Sequence, residues 1–168
     1  MTRIFLIGYM GAGKTTLGKA LAREMNLSFI DLDWHIEGRF HKTVSEVFAE
    51  RGEDGFRELE RQMLHEVAEF EDVIISTGDN MDFMCEHGST VFLNASQDTL
   101  LRRLKAAKQS RPLLRDKSDE ELMDFIRNAL EVRLPYYIRA EYVVPADELE
   151  TREQIAETVR RFRERLGV

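Results

Sequence analysis

Gly8-Tyr9-Met10-Gly11-Ala12-Gly13-Lys14-Thr15 has the spacing of a phosphate-binding P-loop, a Gly, four intervening residues, then Gly-Lys and Ser or Thr. The glycines let backbone N–H groups close round a phosphate, Lys14 reaches its outer oxygens, and the Thr15 hydroxyl can ligate Mg²⁺. Gly11, Ala12, Gly13, Lys14, Thr15 and Thr16 are therefore the candidate nucleotide cradle. Asp31-Leu32-Asp33 comes next. The period of two along a strand predicts that both carboxylates leave its carboxyl end in roughly one direction. There Asp31 would hold Mg²⁺ through water and Asp33 would accept a proton from an attacking hydroxyl. The alternative is a solvated pair that caps the following helix. Phe56-Arg57-x-x-Glu60 sets a guanidinium and a carboxylate three apart on a helix, either to orient Arg57 or as a surface ion pair. Arg111-Pro112-Leu113-Leu114 and Arg133-Leu134-Pro135-Tyr136-Tyr137 add two more arginines. Arginine offers a rigid fork for carboxylate or phosphate that lysine lacks, and two such forks suit one carboxylate.

The elements that must position these residues alternate short apolar runs with longer amphipathic stretches, the pattern of β-α-β units round a parallel sheet. Strand one reads as Ile4 to Ile7, and Leu17, Leu21 and Met25 mark the helix from Thr15 to Met25. Strand two is expected over Ser28 to Leu32, strand three over Val73 to Ile75, strand four over Thr90 to Leu93 and strand five over Tyr142 to Val144. Thr43 with Glu46, Ser118 with Glu121 and Thr151 with Gln154 have the spacing of helix caps. A break over Gly52 to Gly55 precedes a helix from about Phe56 to Phe70, and the helix after Ser118 is expected to end near Arg133, before Pro135. Another helix should run from Asp98 to Lys105. The polar, basic stretch from about 105 to 119 reads as a mobile lid.

Composition narrows the classes further. A chain of 168 residues, 43% hydrophobic and 33% charged, is one folded domain's worth of material, so 1–168 reads as a single domain. Its net charge of -7 draws the whole molecule to neither nucleic acid nor anionic lipid. One cysteine, Cys85, forms no intrachain disulfide and reads as a buried or incidental thiol. No apolar run approaches a membrane span and no signal peptide is evident, which points to a cytoplasmic protein. Without a long heptad or an extended apolar surface run, a monomer is expected. The four histidines lack metal-ligand spacing. Trp34 either borders the site or packs against the fold.

In order along the chain, the P-loop, Asp-x-Asp, Phe-Arg-x-x-Glu, Arg-Pro-Leu-Leu and Arg-x-Pro-x-Tyr elements resemble the shikimate kinase family over nearly the whole length. The resemblance implies a three-layer α/β P-loop fold like that of the nucleoside monophosphate kinases, its parallel sheet ordered 2-3-1-4-5. It implies MgATP-dependent phosphorylation of the 3-hydroxyl of shikimate to shikimate 3-phosphate, a step towards chorismate and the aromatic amino acids. At matching positions Lys14 and Thr15 would serve ATP and Mg²⁺, with Asp31 assisting the metal. Asp33 would bind the substrate hydroxyls and act as base. Arg57 and Arg133 would hold the carboxylate, with Glu60 and Gly78 in the substrate site. Arg111 would swing in with the lid to stabilise phosphoryl charge, and Arg103 would stack on adenine.

One segment departs from the family. Its third strand continues into Gly-Gly-Gly and further residues lining the shikimate site, whereas Ser76-Thr77-Gly78 here runs directly into Asp79-Asn80-Met81. A continuous chain at that junction predicts fewer backbone donors for the substrate ring, an Asp79 charge near an anionic ligand, and weak shikimate binding; a break would mark an omitted loop. The competing readings are a kinase of another hydroxylated acid such as gluconate, and a nucleotide-binding protein without transfer activity.

Overall fold

The computed structural model describes residues 1–108 and 114–168, so Arg111, Pro112 and Leu113 of the expected lid lie outside the described residues. The elements run β1 (Arg3–Ile7), α1 (Lys14–Met25), β2 (Ser28–Asp31), α2 (Leu32–Phe40), α3 (Val44–Val67), β3 (Val73–Ser76), α4 (Met81–His87), β4 (Ser89–Asn94), α5 (Gln97–Ala107), α6 (Asp119–Tyr137), β5 (Tyr142–Pro145) and α7 (Arg152–Leu166). The strands form a five-stranded sheet in the order β2-β3-β1-β4-β5, every pair parallel, as the resemblance implies.

The near-continuous apolar character of β1 and β3 follows from burial on both faces. Ile4 and Leu6 of β1 join Leu17 and Leu21 of α1, Ile126 of α6 and Phe162 of α7 in one core. Phe5 and Ile7 turn the other way and join Ile36, Phe56, Leu64 and Tyr137 in a second. These two cores clamp the sheet and fix the carboxyl ends of its strands, where ligands bind in open parallel α/β sheets.

The helix signals are met at Thr43, where the hydroxyl accepts from Glu46 N and Glu46 Oε2 accepts from Thr43 N in a complete capping box, and likewise at Thr151 with Gln154. Ser118 accepts from Glu121 N at 3.2 Å. The expected break in α3 falls at Gly52, whose φ of 72° and ψ of -179° suit glycine.

Two expectations are corrected and two details are added. Strand two stops at Asp31, and Asp33 stands in the first turn of α2. The period-two argument for the two carboxylates therefore does not apply, because Asp31 turns the chain by capping the new helix. The helix after Ser118 runs past Pro135 to Tyr137. Proline forfeits one N–H there, but the Ile138 N–H still reaches Leu134 O at 3.0 Å, and buried Tyr137 anchors the last turn on Phe92 with ring centroids 5.0 Å apart. Cys85 is exposed. A helix absent from the sequence reading, α4, follows β3 after Thr77, Gly78, Asp79 and Asn80, so Asp79 stands in a four-residue connection.

Candidate active site

The loop after β1 wraps back on itself through backbone geometry that glycine favours. Gly11 (φ 82°) and Gly13 (φ 101°) lie in the left-handed region, and Gly13 is the N-cap of α1. The Ala12 N–H donates to Tyr9 O at 3.0 Å, and Lys14 Nζ donates to Gly8 O. Arg103, from α5, braces the loop from behind: Nη1 donates to Gly11 O at 3.1 Å and Ala12 O at 3.2 Å, Nη2 to Ala146 O at 2.7 Å, and Nε to Glu150 Oε1 at 3.1 Å. Arg103 thereby joins the phosphate loop to the segment between β5 and α7. Composition gave no hint of this role, because each acceptor is a distant backbone carbonyl or carboxylate.

On the β2 side, Thr15 Oγ1 stands 3.4 Å from Asp31 Oδ2, while Asp31 Oδ1 accepts from Trp34 N at 3.2 Å. The Asp31 carboxylate thus caps α2 with one oxygen, and its other oxygen faces Thr15. A hydroxyl and a carboxylate together fit a hard cation that keeps most of its water, the habit of Mg²⁺. Among the described residues no group of three or more His, Cys, Asp or Glu side chains converges on a metal.

A cavity of about 470 Å³ opens beside the loop. Lys14, Asp31, Asp33, Arg57, Glu60, Gly78 and Arg133 all line it, as do Asp79, Met81, Met84 and Tyr136. Seven candidates scattered over the chain therefore share one cavity. Gly11, Ala12, Gly13 and Thr15 form the adjoining loop and helix start, whereas Thr16 faces the groove between α1 and α7. Trp34 does not line the cavity; it is 53% exposed, with Lys19 Nζ 4.9 Å from its ring centroid.

Arg57 Nη1 donates to Glu60 Oε1 at 3.0 Å, so the i,i+3 pair forms, with Glu60 buried. Burial raises the Glu60 carboxyl above its ordinary range against the lowering pull of Arg57. Asp33 retains solvent contact at the cavity mouth, yet the protein around it and the adjacent Asp31 charge raise its carboxyl, with Lys14 opposing them. An aspartate pushed upward in this way is a better proton acceptor than one in free solution. Met81 and Met84 were missed from the sequence, because a short apolar helix after a turn leaves no distinct local signal, and Tyr136 was missed because the helix was expected to end before Pro135.

A nucleotide cradle at the end of β1, facing an acceptor cavity across the sheet edge, defines a P-loop phosphotransferase acting on a small molecule. Known proteins give the class its particular member. The family described as shikimate kinase matches residues 10–163. The shikimate kinase of Phocaeicola vulgatus is 65% identical over 174 aligned positions, covering 99% of each chain. A crystal structure of the Bacteroides thetaiotaomicron shikimate kinase superposes with a TM-score of 0.96 at 64% identity, over 99% of both chains. A structure of the Acinetobacter baumannii enzyme in complex with shikimate matches with a TM-score of 0.83 at 28% identity, over 99% of this chain and 94% of that one. The chain belongs to the shikimate kinase family.

Proposed function

We infer that the chain transfers the γ-phosphoryl group of ATP to the 3-hydroxyl of shikimate, releasing ADP and shikimate 3-phosphate. The observation that carries this reading is the sharing of one cavity by Lys14, Asp33, Arg57 and Arg133. Arg57 and Arg133 hold the substrate carboxylate, and Glu60 fixes the plane of the Arg57 fork. Asp33 takes the proton as the 3-hydroxyl oxygen attacks phosphorus, and the bond from the γ-phosphorus to the bridging oxygen breaks with its electron pair passing to ADP. Lys14 and the N–H groups of Gly11 to Thr16 bear the phosphate charge, and the resemblance gives Arg111 the same task. Arg103 supports the adenine side of the cradle. Thr15 and Asp31 would hold Mg²⁺, which when bound neutralises charge on the phosphate oxygens. Since catalysis here is mainly positioning and electrostatics, a small cavity with these groups preset suffices.

The same reading treats 1–168 as one domain with a lid over about 105–119, acting as a cytoplasmic monomer on shikimate and ATP without nucleic-acid or membrane partners. No described helix is long and apolar enough to cross a membrane. The test is a coupled ADP-release assay with shikimate, with gluconate and with no acceptor. Turnover with shikimate alone is expected. Equal ADP release in all three arms would contradict transfer to shikimate.

A further inference from the structure

The connection between β3 and α4 brings a charge into the acceptor cavity that the reaction does not need. Asp79 is exposed there and lines the same cavity as Arg57, Glu60 and Arg133. Its Oδ1 accepts from Asn80 N at 2.8 Å, and Asn80 sits in the left-handed region at φ 74° as the N-cap of α4. The turn therefore pins the carboxylate instead of leaving it free to rotate into bulk water. The cavity then holds four carboxylates, Asp31, Asp33, Glu60 and Asp79, against Lys14, Arg57 and Arg133. Glu60 is spent on Arg57 and Asp31 faces Thr15, while Arg133 forms no ion pair within 4 Å among the described residues. Arg133 shares the cavity with Asp79 and, among the described residues, has no carboxylate committed to it there.

We propose that Asp79 is a specificity-determining residue of the acceptor site, a resident negative charge that opposes the carboxylate-binding arginines and weakens binding of an anionic substrate. The proposal rests on the reading of the cavity as a shikimate site. Electrostatics within the pocket agree: burial lowers the Arg133 guanidinium, and Tyr137, Tyr9 and Asp79 more than offset it, while Asp79 also helps to raise Glu60.

The test is Asp79→Asn, which keeps an oxygen to accept the Asn80 N–H and removes the charge. Calorimetric titration would compare shikimate with its uncharged methyl ester on both proteins. The variant should bind the acid about twofold to fivefold more tightly at low ionic strength, in line with a partly exposed charge contact, and the gain should shrink in about 0.5 M salt. Ester affinity should stay the same in both. Unchanged or weaker acid binding overturns the proposal, as does an equal gain for acid and ester, which would assign the effect to shape. Failure of both proteins to bind either compound, with ATP still bound, would overturn the substrate assignment itself.

Discussion

Replacing Arg57 by Lys keeps one positive charge in the acceptor cavity and removes the planar fork. In the native protein the Nη1 edge is committed to Glu60 at 3.0 Å, and the side chain, 34% exposed, still faces the cavity with its remaining donors. A lysine ammonium in its place must divide itself between the buried Glu60 carboxylate and the substrate, with no plane to align both. Glu60 keeps a cation beside it, so the fold should survive. What is lost is one charge-assisted hydrogen bond to the acid, about 1.5 to 3 kcal/mol, or a roughly 10-fold to 150-fold rise in the shikimate KM. Steady-state kinetics with each substrate varied at saturating levels of the other would separate the sites. The KM for ATP should move by less than about twofold, since Arg57 hydrogen-bonds to Glu60 and is assigned to the acid. Equal weakening towards both substrates, or an unchanged shikimate KM, would refute the assignment of Arg57 to the acid.

Other perturbations separate catalysis from structure. Asp33→Asn should lower kcat by about 10²-fold or more with little change in ATP binding. In the native enzyme kcat/KM should fall as acid protonates Asp33, at a pH above the ordinary aspartate range because its carboxyl is raised, and this limb should vanish in the variant. A persisting limb would assign the base elsewhere. Arg103→Met strips donors from Gly11 O, Ala12 O and Ala146 O, so urea unfolding should show a loss of about 2 to 4 kcal/mol, accompanied by a raised KM for ATP; a loss under about 0.5 kcal/mol would show that the brace is idle. Thr77 is buried at the cavity wall, and its Oγ1 has no hydrogen-bond partner among the described residues. Thr77→Val should therefore raise the Tm by about 2 to 4 °C, and a fall would mean that the hydroxyl is engaged.

The sequence was most legible where structure is decided locally. Thr43, Ser118 and Thr151 act through backbone groups three residues away, and all three caps form as their spacing predicts. The P-loop was equally readable, because its glycines serve backbone angles that other residues resist. Asp33 was placed in the right cavity for the wrong reason: the strand ends one residue earlier than its apolar pattern implies, since Asp31 prefers to cap α2. Pro135 misled because its missing hydrogen bond is a local cost, whereas the packing of Tyr137 on Phe92 is a tertiary gain. Helix α4 was invisible for a similar reason. Its N-cap, Asn80, makes no side-chain cap, and the helix is held by buried Met81 and Met84 and by the Arg139–Asp82 ion pair across the chain. The brace made by Arg103 depends on partners more than 40 residues distant, which no spacing rule reaches.

Identification of the product tests the central claim most directly. Purified protein would be incubated with ATP, Mg²⁺ and shikimate, and the product examined by phosphorus NMR with proton coupling retained. The expected result is one new phosphate monoester whose phosphorus couples to the ring proton at carbon 3, formed in step with ADP. A phosphate on another hydroxyl, or ADP formed with inorganic phosphate and unmodified shikimate, would contradict the placement of the acid between Arg57 and Arg133 with its 3-hydroxyl at Asp33.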